Sequence, residues 1–181
     1  MDAIELIYRM RRAGHTQVSL ARELGITRSV VNDVIHGRKS AFRVATCIAD
    51  VVGAELAEEL AGLVLYPEVE AVLDTLRQVG RRVAVCSNLA ASYGAAVREL
   101  LPGLDAYILS YEVGTAKPDP AIYEAVCSAL ERCSGEVLFI GDSQRCDLLG
   151  PQAFGMSAHW LDRASGQTLW DVLARKPHEY E

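Results

Sequence analysis

The sequence predicts an α/β protein with an all-α N-terminal domain. Residues 1–53 show only helical patterns broken at glycines, whereas from Pro67 onward short apolar runs alternate with helical segments. Such alternation is typical of a parallel sheet covered by helices on both faces. The charge changes at the same place, from a net +3 over residues 1–53 to −9 over the remainder. We therefore expect two domains of different architecture.

The composition is that of an ordinary globular chain. Half of the 181 residues are apolar, and no apolar run reaches the roughly 20 residues that a membrane helix needs. The first residues, MDAIELIYRMRR, do not have the pattern of a signal peptide. The five cysteines include no Cys-x-x-Cys pair, which favours reduced thiols over a zinc site. We expect a cytoplasmic protein without a membrane partner.

Four helices are expected in the N-terminal domain. The first carries an apolar stripe and stops at Ala13-Gly14, and Gly25 and Gly53 end two of the others. The remaining three are predicted over Gln17–Leu24, Arg28–His36 and Ala41–Val52, with Thr16 and Thr27 as the first caps.

One detail of these helices is more specific than their amphipathic patterns. Ala21 is small where two helices must touch, Gly25 allows a sharp turn, and Val31 and Val34 point back onto the preceding helix. This spacing is the layout of a helix-turn-helix motif. The segment HTQVSLARELGITRSVVNDVIHGR resembles the Cro/repressor-like and phage Ner-like DNA-binding domains, over about residues 3–53.

That resemblance implies a recognition helix over Arg28–His36 and a set of DNA contacts. Side chains of this helix would read base edges, and residues flanking it would contact phosphates. The expected DNA-binding residues are Gln17, Thr27, Arg28, Ser29, Asn32, Asp33, Arg38 and Lys39. A single such domain binds weakly, so a homodimer on paired half-sites of double-stranded DNA is expected. The alternative is a four-helix packing module with solvated charges.

The second part of the chain predicts a parallel sheet with polar residues at its strand ends. A helix is expected over Pro67–Val79, followed by four strands alternating with helices. The strands are predicted at Arg82–Cys86, Tyr107–Ser110, Val137–Ile140 and Ser157–Leu161. The polar residues at their ends would converge at one edge of the sheet, which is where α/β folds bind ligands.

The stretch Val137–Asp147, VLFIGDSQRCD, is the strongest candidate for that edge. An apolar strand ends at Gly141 and delivers Asp142 and Ser143, and Asp147 follows. Two carboxylates placed in this way suit Mg²⁺, because hard cations prefer oxygen ligands.

Three segments of this part resemble the haloacid dehalogenase (HAD) superfamily of phosphatases, over about residues 66–162. They are YPEVEAVLDTLRQVGRRVAVCSN, VGTAKPDPAIYEAV and VLFIGDSQRCDLLGPQAFGMSAHWL. The resemblance implies a Rossmann-like three-layer core, here without the family's cap domain. It also implies that Ser87 with Asn88 and Lys117 hold a phosphoryl group, with Asp142 and Asp147 as possible Mg²⁺ ligands. Ser143 belongs to the same pocket.

The sequence departs from the family at the nucleophile. The family uses an Asp in an Asp-x-Asp motif at the end of its first strand, and no Asp-x-Asp occurs here. Either Leu63–Tyr66 serves as that strand, with Glu68 the nearest acid, or the strand is absent and its neighbours close up. We therefore expect no catalytic residue, and a pocket that is a remnant or a set of structural residues.

The expected organisation is a DNA-binding domain over 1–56, a junction over 57–66 and a HAD-like domain over 67–176. Residues beyond Pro177 are expected to fray. The main hypothesis is a DNA-binding transcriptional regulator whose degenerate, pseudoenzyme domain dimerises, senses a phosphorylated small molecule, or both. The alternatives are a Mg²⁺-dependent HAD-type phosphatase with a non-standard nucleophile and a non-catalytic protein-interaction module.

Overall fold

The helices and strands of residues 3–174 are described by a computed structural model. This part of the chain divides into two compact units, with Leu63 closing the first and Val64 opening the second. The predicted domains begin and end at residues 1–2 and 175–176, which lie outside the described residues. The fraying expected beyond Pro177 also lies outside them. None of the described helices combines the length and the apolar character that crossing a membrane requires.

The first unit is helical throughout its described residues. Its helices are α1 (Ala3–Arg12), α2 (Gln17–Leu24), α3 (Arg28–Ile35) and α4 (Phe42–Ala61). Thr16 begins α2 with a capping box, in which its side chain accepts from the Ser19 backbone N–H. Gly25 ends α2 in the left-handed conformation, at a φ of 69° that side chains other than glycine rarely adopt.

One core holds these four helices together. Its buried members come from every helix and include Met10, Leu20, Val31 and Ile48. The guanidinium of Arg9, only 4% exposed, is paired with Glu5, Glu55 and Glu59, which fastens α1 to α4. The fourth helix was predicted to end at Gly53 but continues to Ala61, because the segment AELAEELA is strongly helix-favouring.

The second unit has the predicted alternation of helices and strands. Its strands are β1 (Ala84–Ser87), β2 (Ala106–Leu109), β3 (Leu138–Gly141) and β4 (Ser157–Trp160). Its helices are α5 (Val69–Gln78), α6 (Gly94–Leu100), α7 (Ser110–Val113), α8 (Pro120–Leu130), α9 (Gly150–Phe154) and α10 (Leu169–Leu173). A π-helix over Gln144–Leu149 connects β3 to α9. The α/β fold class is thus confirmed, whereas a helix-turn-helix identity for the first unit is not.

The strands do not form the single sheet that the sequence predicted. They form two separate parallel pairs, β1 with β2 and β3 with β4. The run Leu63–Tyr66, one candidate for a further strand, has no strand structure, so it does not join either pair. The alternative was that this strand is absent and its neighbours close up. It also fails, because β1 and β3 do not pair with each other.

Both pairs nevertheless share one hydrophobic core beneath α8. The core contains Ile122, Tyr123 and Val126 of α8, Ile108 of β2 and Phe139 of β3. The rings of Tyr123 and Phe139 meet edge to face, with centroids 5.7 Å apart. Helix α8 therefore holds the two pairs of strands side by side, although no backbone hydrogen bonds connect them.

An ion pair fastens the start of the second unit to the segment after β4. Arg163 donates to the carboxylate of Glu68, its guanidinium lies 3.9 Å from the centre of the Tyr66 ring, and the Leu169 N–H also donates to Glu68. The hydrogen bond from Arg163 is the main cause that lowers the pKa of Glu68. Glu68 is therefore engaged in structure, at the N-terminus of α5.

Replacing Tyr123 by Phe should lower the free energy of unfolding by about 1–3 kcal/mol, because the part-buried Cys146 carbonyl then loses its hydrogen-bond donor. The Tyr123 hydroxyl donates to that carbonyl at 2.7 Å. Urea denaturation would measure the change, and the exposed Tyr8→Phe is the matched control. Equal stability of the two variants would contradict the prediction.

The Glu68 pair should contribute stability that depends on pH. Because the pKa of Glu68 is lower in the folded state than its ordinary value of 4.5, its contribution is complete above about pH 4.5 and is lost as the pH falls through the folded pKa. Glu68→Gln should therefore be less stable than the wild type at pH 7 and should approach it in acid. Denaturation midpoints across pH 3–7 test this, with the exposed Glu70→Gln as control. A difference that does not change with pH would refute the assignment.

Candidate functional site

Polar side chains meet at the carboxyl ends of β1 and β3. Ser87 ends β1 and Asn88 follows it, while Asp142 and Ser143 follow β3. Strand β1 pairs with β2 and β3 pairs with β4, and both pairs contribute to one core with α8. In α/β folds, ligands bind outside the carboxyl ends of the strands, which is where these polar residues lie.

Lys117 lies at the centre of this arrangement. Its ammonium group is 2.6 Å from a carboxylate oxygen of Asp147 and donates to the backbone carbonyl of Cys86 at 2.9 Å. The two charged side chains are only 10% and 6% exposed. The ammonium also lies 5.3 Å from the centre of the Phe139 ring. A buried pair of this kind fixes a positive charge at the strand ends.

The loop that carries Lys117 is held by Asn88. The Lys117 N–H donates to the Asn88 side-chain oxygen at 2.7 Å, and the Asn88 amide donates back to the Lys117 carbonyl at 2.9 Å. The peptide bond between Lys117 and Pro118 is cis. Asn88 was predicted to touch a phosphoryl group, and the structure places its amide on the backbone of Lys117 instead.

Asp147 is positioned by the π-helix and by a glycine. Its second carboxylate oxygen accepts from the Ser143 N–H at 2.9 Å. A Cβ on Gly141 would lie 2.5 Å from the Asp147 carboxyl carbon, so only glycine permits this close approach. The Ser143 hydroxyl caps the π-helix by accepting from the Cys146 N–H at 3.2 Å. Both Asp147 oxygens are thus already engaged.

Two predicted side chains remain free to bind a ligand. The Asp142 side chain is exposed, and neither its carboxylate nor the Ser87 hydroxyl has a hydrogen-bond or ion-pair partner within residues 3–174. Trp160 of the neighbouring strand donates its indole N–H to the Asp142 carbonyl at 2.9 Å, which fixes the backbone below that carboxylate. The structure joins Lys117 to Asp147 directly, whereas Ser87 and Asp142 lie at the ends of β1 and β3, and a shared binding site for the four stays a prediction.

Magnesium is the metal that the carboxylates suggest. In the described part of the chain, no three His, Cys, Asp or Glu side chains are grouped closely enough to hold a metal ion by themselves. Mg²⁺ does not need such a cage, since it is usually bound by one or two carboxylates together with substrate phosphate and water. The free Asp142 carboxylate fits that role better than Asp147, whose oxygens accept from Lys117 and Ser143.

Two residues that could replace an Asp nucleophile do not fit that role. Burial raises the pKa of the Cys86 thiol to about 11, so it is protonated at neutral pH and is a poor nucleophile. Glu68 is held by Arg163 and the Leu169 backbone.

Sequence reasoning also missed three groups that shape the site: the Cys86 carbonyl, Gly141 and Trp160.

The residues predicted to bind DNA lie on α2, α3 and the turn after α3, where several bond to one another. The Gln17 amide donates to Asn32 and accepts from Arg28, both at 3.4 Å, and Arg38 pairs with Asp33 at 3.0 Å. The other members of the predicted set, Thr27, Ser29 and Lys39, are exposed. The Gln17 contacts connect α2 to α3 and the Arg38–Asp33 pair holds the turn after α3, so these contacts have a structural explanation that needs no nucleic acid.

Comparison with curated proteins shows similarity to phosphatases. The chain is 32% identical to a phosphoserine phosphatase of Thermus thermophilus, over 55% of this chain and 41% of the relative. It is 33% identical to a phosphatase of Mycobacterium tuberculosis, over 60% of this chain and 51% of the relative. The chain spans about half the length of these curated relatives.

Solved structures show the same fold. A HAD phosphatase from Thermococcus onnurineus aligns with a TM-score of 0.60 and 23% identity, over 84% of this chain and 78% of that one. A 2-haloacid dehalogenase from Pseudomonas syringae gives 0.62 and 21%, over 93% and 70%. A HAD family enzyme from Bacteroides thetaiotaomicron, in complex with magnesium and inorganic phosphate, gives 0.53 and 20%, over 93% and 80%.

These findings correct the main functional hypothesis. A DNA-binding transcriptional regulator is wrong, because the similar proteins are named phosphatases and dehalogenases. The prediction that double-stranded DNA is the partner is therefore also wrong. The homodimer was expected only because of paired DNA half-sites, so nothing now supports it. The pseudoenzyme interpretation is likewise unsupported, since the similar proteins are named as hydrolytic enzymes.

The family assignment covers the helical unit as well as the strands. A model described as haloacid dehalogenase-like hydrolase matches residues 5–155, which include most of α1 and all of α2 to α4. The match therefore spans residues of both compact units. The chain belongs to the haloacid dehalogenase-like hydrolase family.

Proposed function

We propose that this chain acts in the Mg²⁺-dependent hydrolysis of small phosphomonoesters, at the carboxyl ends of β1 and β3. The observation that carries the proposal is the buried Lys117–Asp147 pair beside the free Ser87 hydroxyl. The similarity to a phosphoserine phosphatase and another phosphatase supports phosphorylated small molecules as substrates.

The site can bind a phosphoryl group through Lys117 and Ser87. An ammonium group has three N–H donors, and the bonds to Asp147 and the Cys86 carbonyl use two of them. The third is left for a phosphate oxygen, and the Ser87 hydroxyl supplies a neutral donor at the same edge. A positive charge that is already fixed in place stabilises charge developing on the phosphoryl oxygens without reorganisation.

Asp142 would hold the magnesium ion, with phosphate oxygens and water as the other ligands. When bound, the ion would neutralise phosphate charge and polarise the phosphoryl group. Asp147 has a positioning role in this proposal: it orients the Lys117 ammonium and, through the Ser143 N–H, the loop that carries Asp142. The cytoplasmic location was inferred from the pattern of cysteines, and it stays a prediction.

The proposal predicts Mg²⁺-dependent release of p-nitrophenol from p-nitrophenyl phosphate by the purified chain. Lys117→Ala should lower kcat/KM roughly 100-fold, because the fixed charge at the phosphoryl oxygens is lost. Lys39→Ala, an exposed lysine of the first unit, is the control and should leave the rate unchanged. Absence of release at micromolar enzyme, or release that EDTA does not reduce, would rule out the proposed reaction.

Gly141→Ala should lower the same rate about tenfold, since the new methyl group would displace the Asp147 carboxylate and with it the Lys117 ammonium. Gly135→Ala is the matched control, because no heavy atom lies within 4 Å of the position its Cβ would take. Rates and circular dichroism should be measured on both. If the two variants hydrolyse the substrate equally fast, Asp147 does not position the site.

A further inference from the structure

The second unit has a cavity of about 460 Å³ between the start of α8 and the segment that runs from the π-helix into α9. Its walls are mainly apolar and consist, besides Gly150, of Pro118, Pro120, Leu149, Ala153 and Phe154, with Arg145 as the charged member. Small-molecule sites usually measure roughly 300–1,000 Å³ and combine apolar walls with a few polar groups. The cavity has the size and the lining of such a site.

Close packing beneath the cavity fixes its shape. The ring of Phe154 lies against the buried ring of Tyr123, with centroids 5.9 Å apart. A Cβ at Gly150 would overlap the Tyr123 hydroxyl and would lie 3.1 Å from the Pro118 Cβ, so α9 begins in direct contact with α8 and with the loop before it. The same hydroxyl donates to the Cys146 carbonyl of the π-helix. A ligand therefore meets walls that are already in place, which lowers the cost of ordering them on binding.

Arg145 gives the cavity a single positive charge. Its side chain is exposed and has no hydrogen-bond or ion-pair partner within residues 3–174. Every other described residue that lines the cavity is uncharged. Asp119 lies between the two prolines, but its carboxylate accepts from the Ala121 N–H and begins α8. The Arg145 guanidinium is thus available to an anion, and its planar fork matches a carboxylate.

We propose that this cavity binds a small monocarboxylate with a flat apolar body, such as an aryl carboxylate. The carboxylate would pair with Arg145, and the ring would lie against Leu149 and Phe154. Leu149 is 59% exposed, so a ligand in this position would remove apolar surface from water. A phosphate dianion fits less well, because its second charge would be desolvated against apolar walls without a partner.

The walls of the cavity belong to the two segments that form the buried ion pair. Pro118 directly follows Lys117, and Arg145 and Leu149 flank Asp147 in the π-helix. A bound carboxylate would therefore contact both segments and hold them together from outside the pair. None of the lining residues is among those proposed to bind phosphate or Mg²⁺. The inference concerns a second binding site and stands independently of the proposed hydrolysis.

Isothermal titration of the full chain with 2-naphthoate tests the inference, with the uncharged 2-naphthamide as the matched ligand. Saturable binding of 2-naphthoate at one site is expected. The amide should bind roughly tenfold more weakly, because it cannot form the charge-assisted hydrogen bonds to Arg145. Arg145→Met should abolish this difference between acid and amide, whereas the exposed Arg81→Met should keep it. No saturable binding of 2-naphthoate, or a difference that Arg145→Met leaves unchanged, would overturn the proposal.

A variant that fills the cavity locates the ligand. Ala153→Phe keeps Arg145 but should weaken binding of 2-naphthoate roughly tenfold or more, because the new ring takes the volume that the ligand needs. Gln152→Phe is the control, since this exposed neighbour on α9 does not line the cavity. Inorganic phosphate should not displace 2-naphthoate. Equal binding by the two variants, or displacement by phosphate, would place 2-naphthoate elsewhere and overturn the proposal.

Sedimentation velocity separates a small ligand from a second copy of the chain as the occupant. Without ligand, the wild type and Ala153→Phe should sediment as the same species. A dimer that Ala153→Phe dissociates would identify a second copy in the cavity and overturn the proposal. None of these measurements uses substrate or Mg²⁺, so a failure of hydrolysis and a failure of carboxylate binding are seen separately.

Discussion

The buried pair of Lys117 and Asp147 is the interaction on which the site depends. Charges that are removed from water must be paired and hydrogen-bonded, because an isolated buried charge is strongly destabilising. Here Asn88 holds the lysine backbone, Ser143 donates to the aspartate, and Gly141 leaves room for its carboxylate. The ends of β1 and β3 and the Lys117 loop are therefore connected through a single ion pair.

Much of this arrangement could be predicted from local sequence signals. The four strands lie within a few residues of their predicted places, and Lys117 and Asp147 form an ion pair near the strand ends that carry Ser87 and Asp142. These predictions rest on short-range patterns: an apolar run, a polar residue at its end, and a helix between successive strands. The contacts among Gly141, Trp160 and the Cys86 carbonyl depend on tertiary packing, which no local pattern shows.

The helix-turn-helix interpretation is not confirmed, and the DNA-binding function inferred from it was wrong for an instructive reason. A small residue, a glycine turn and two apolar positions are what any two short helices need in order to pack at a steep angle. Ala21, Gly25 and Val31 fill those places here, with Ala21 and Val31 in the core of the first unit. Some of the polar residues beside them form hydrogen bonds that connect α2 to α3, and others lie exposed at the surface. Such a pattern identifies a packing geometry, whereas a ligand must be inferred from the groups that would bind it.

The π-helix after β3 makes the site sensitive to chain length as well as to side-chain identity. A π-turn contains one residue more than an α-turn, and such turns are frequent at functional sites. Within Gln144–Leu149 the π-helix places Asp147 where its carboxylate accepts from Lys117 and Ser143. Removing one residue ahead of Asp147 would favour α-helical winding and move this carboxylate relative to its two donors. Natural variation in this segment is therefore expected to proceed by substitution and not by insertion or deletion.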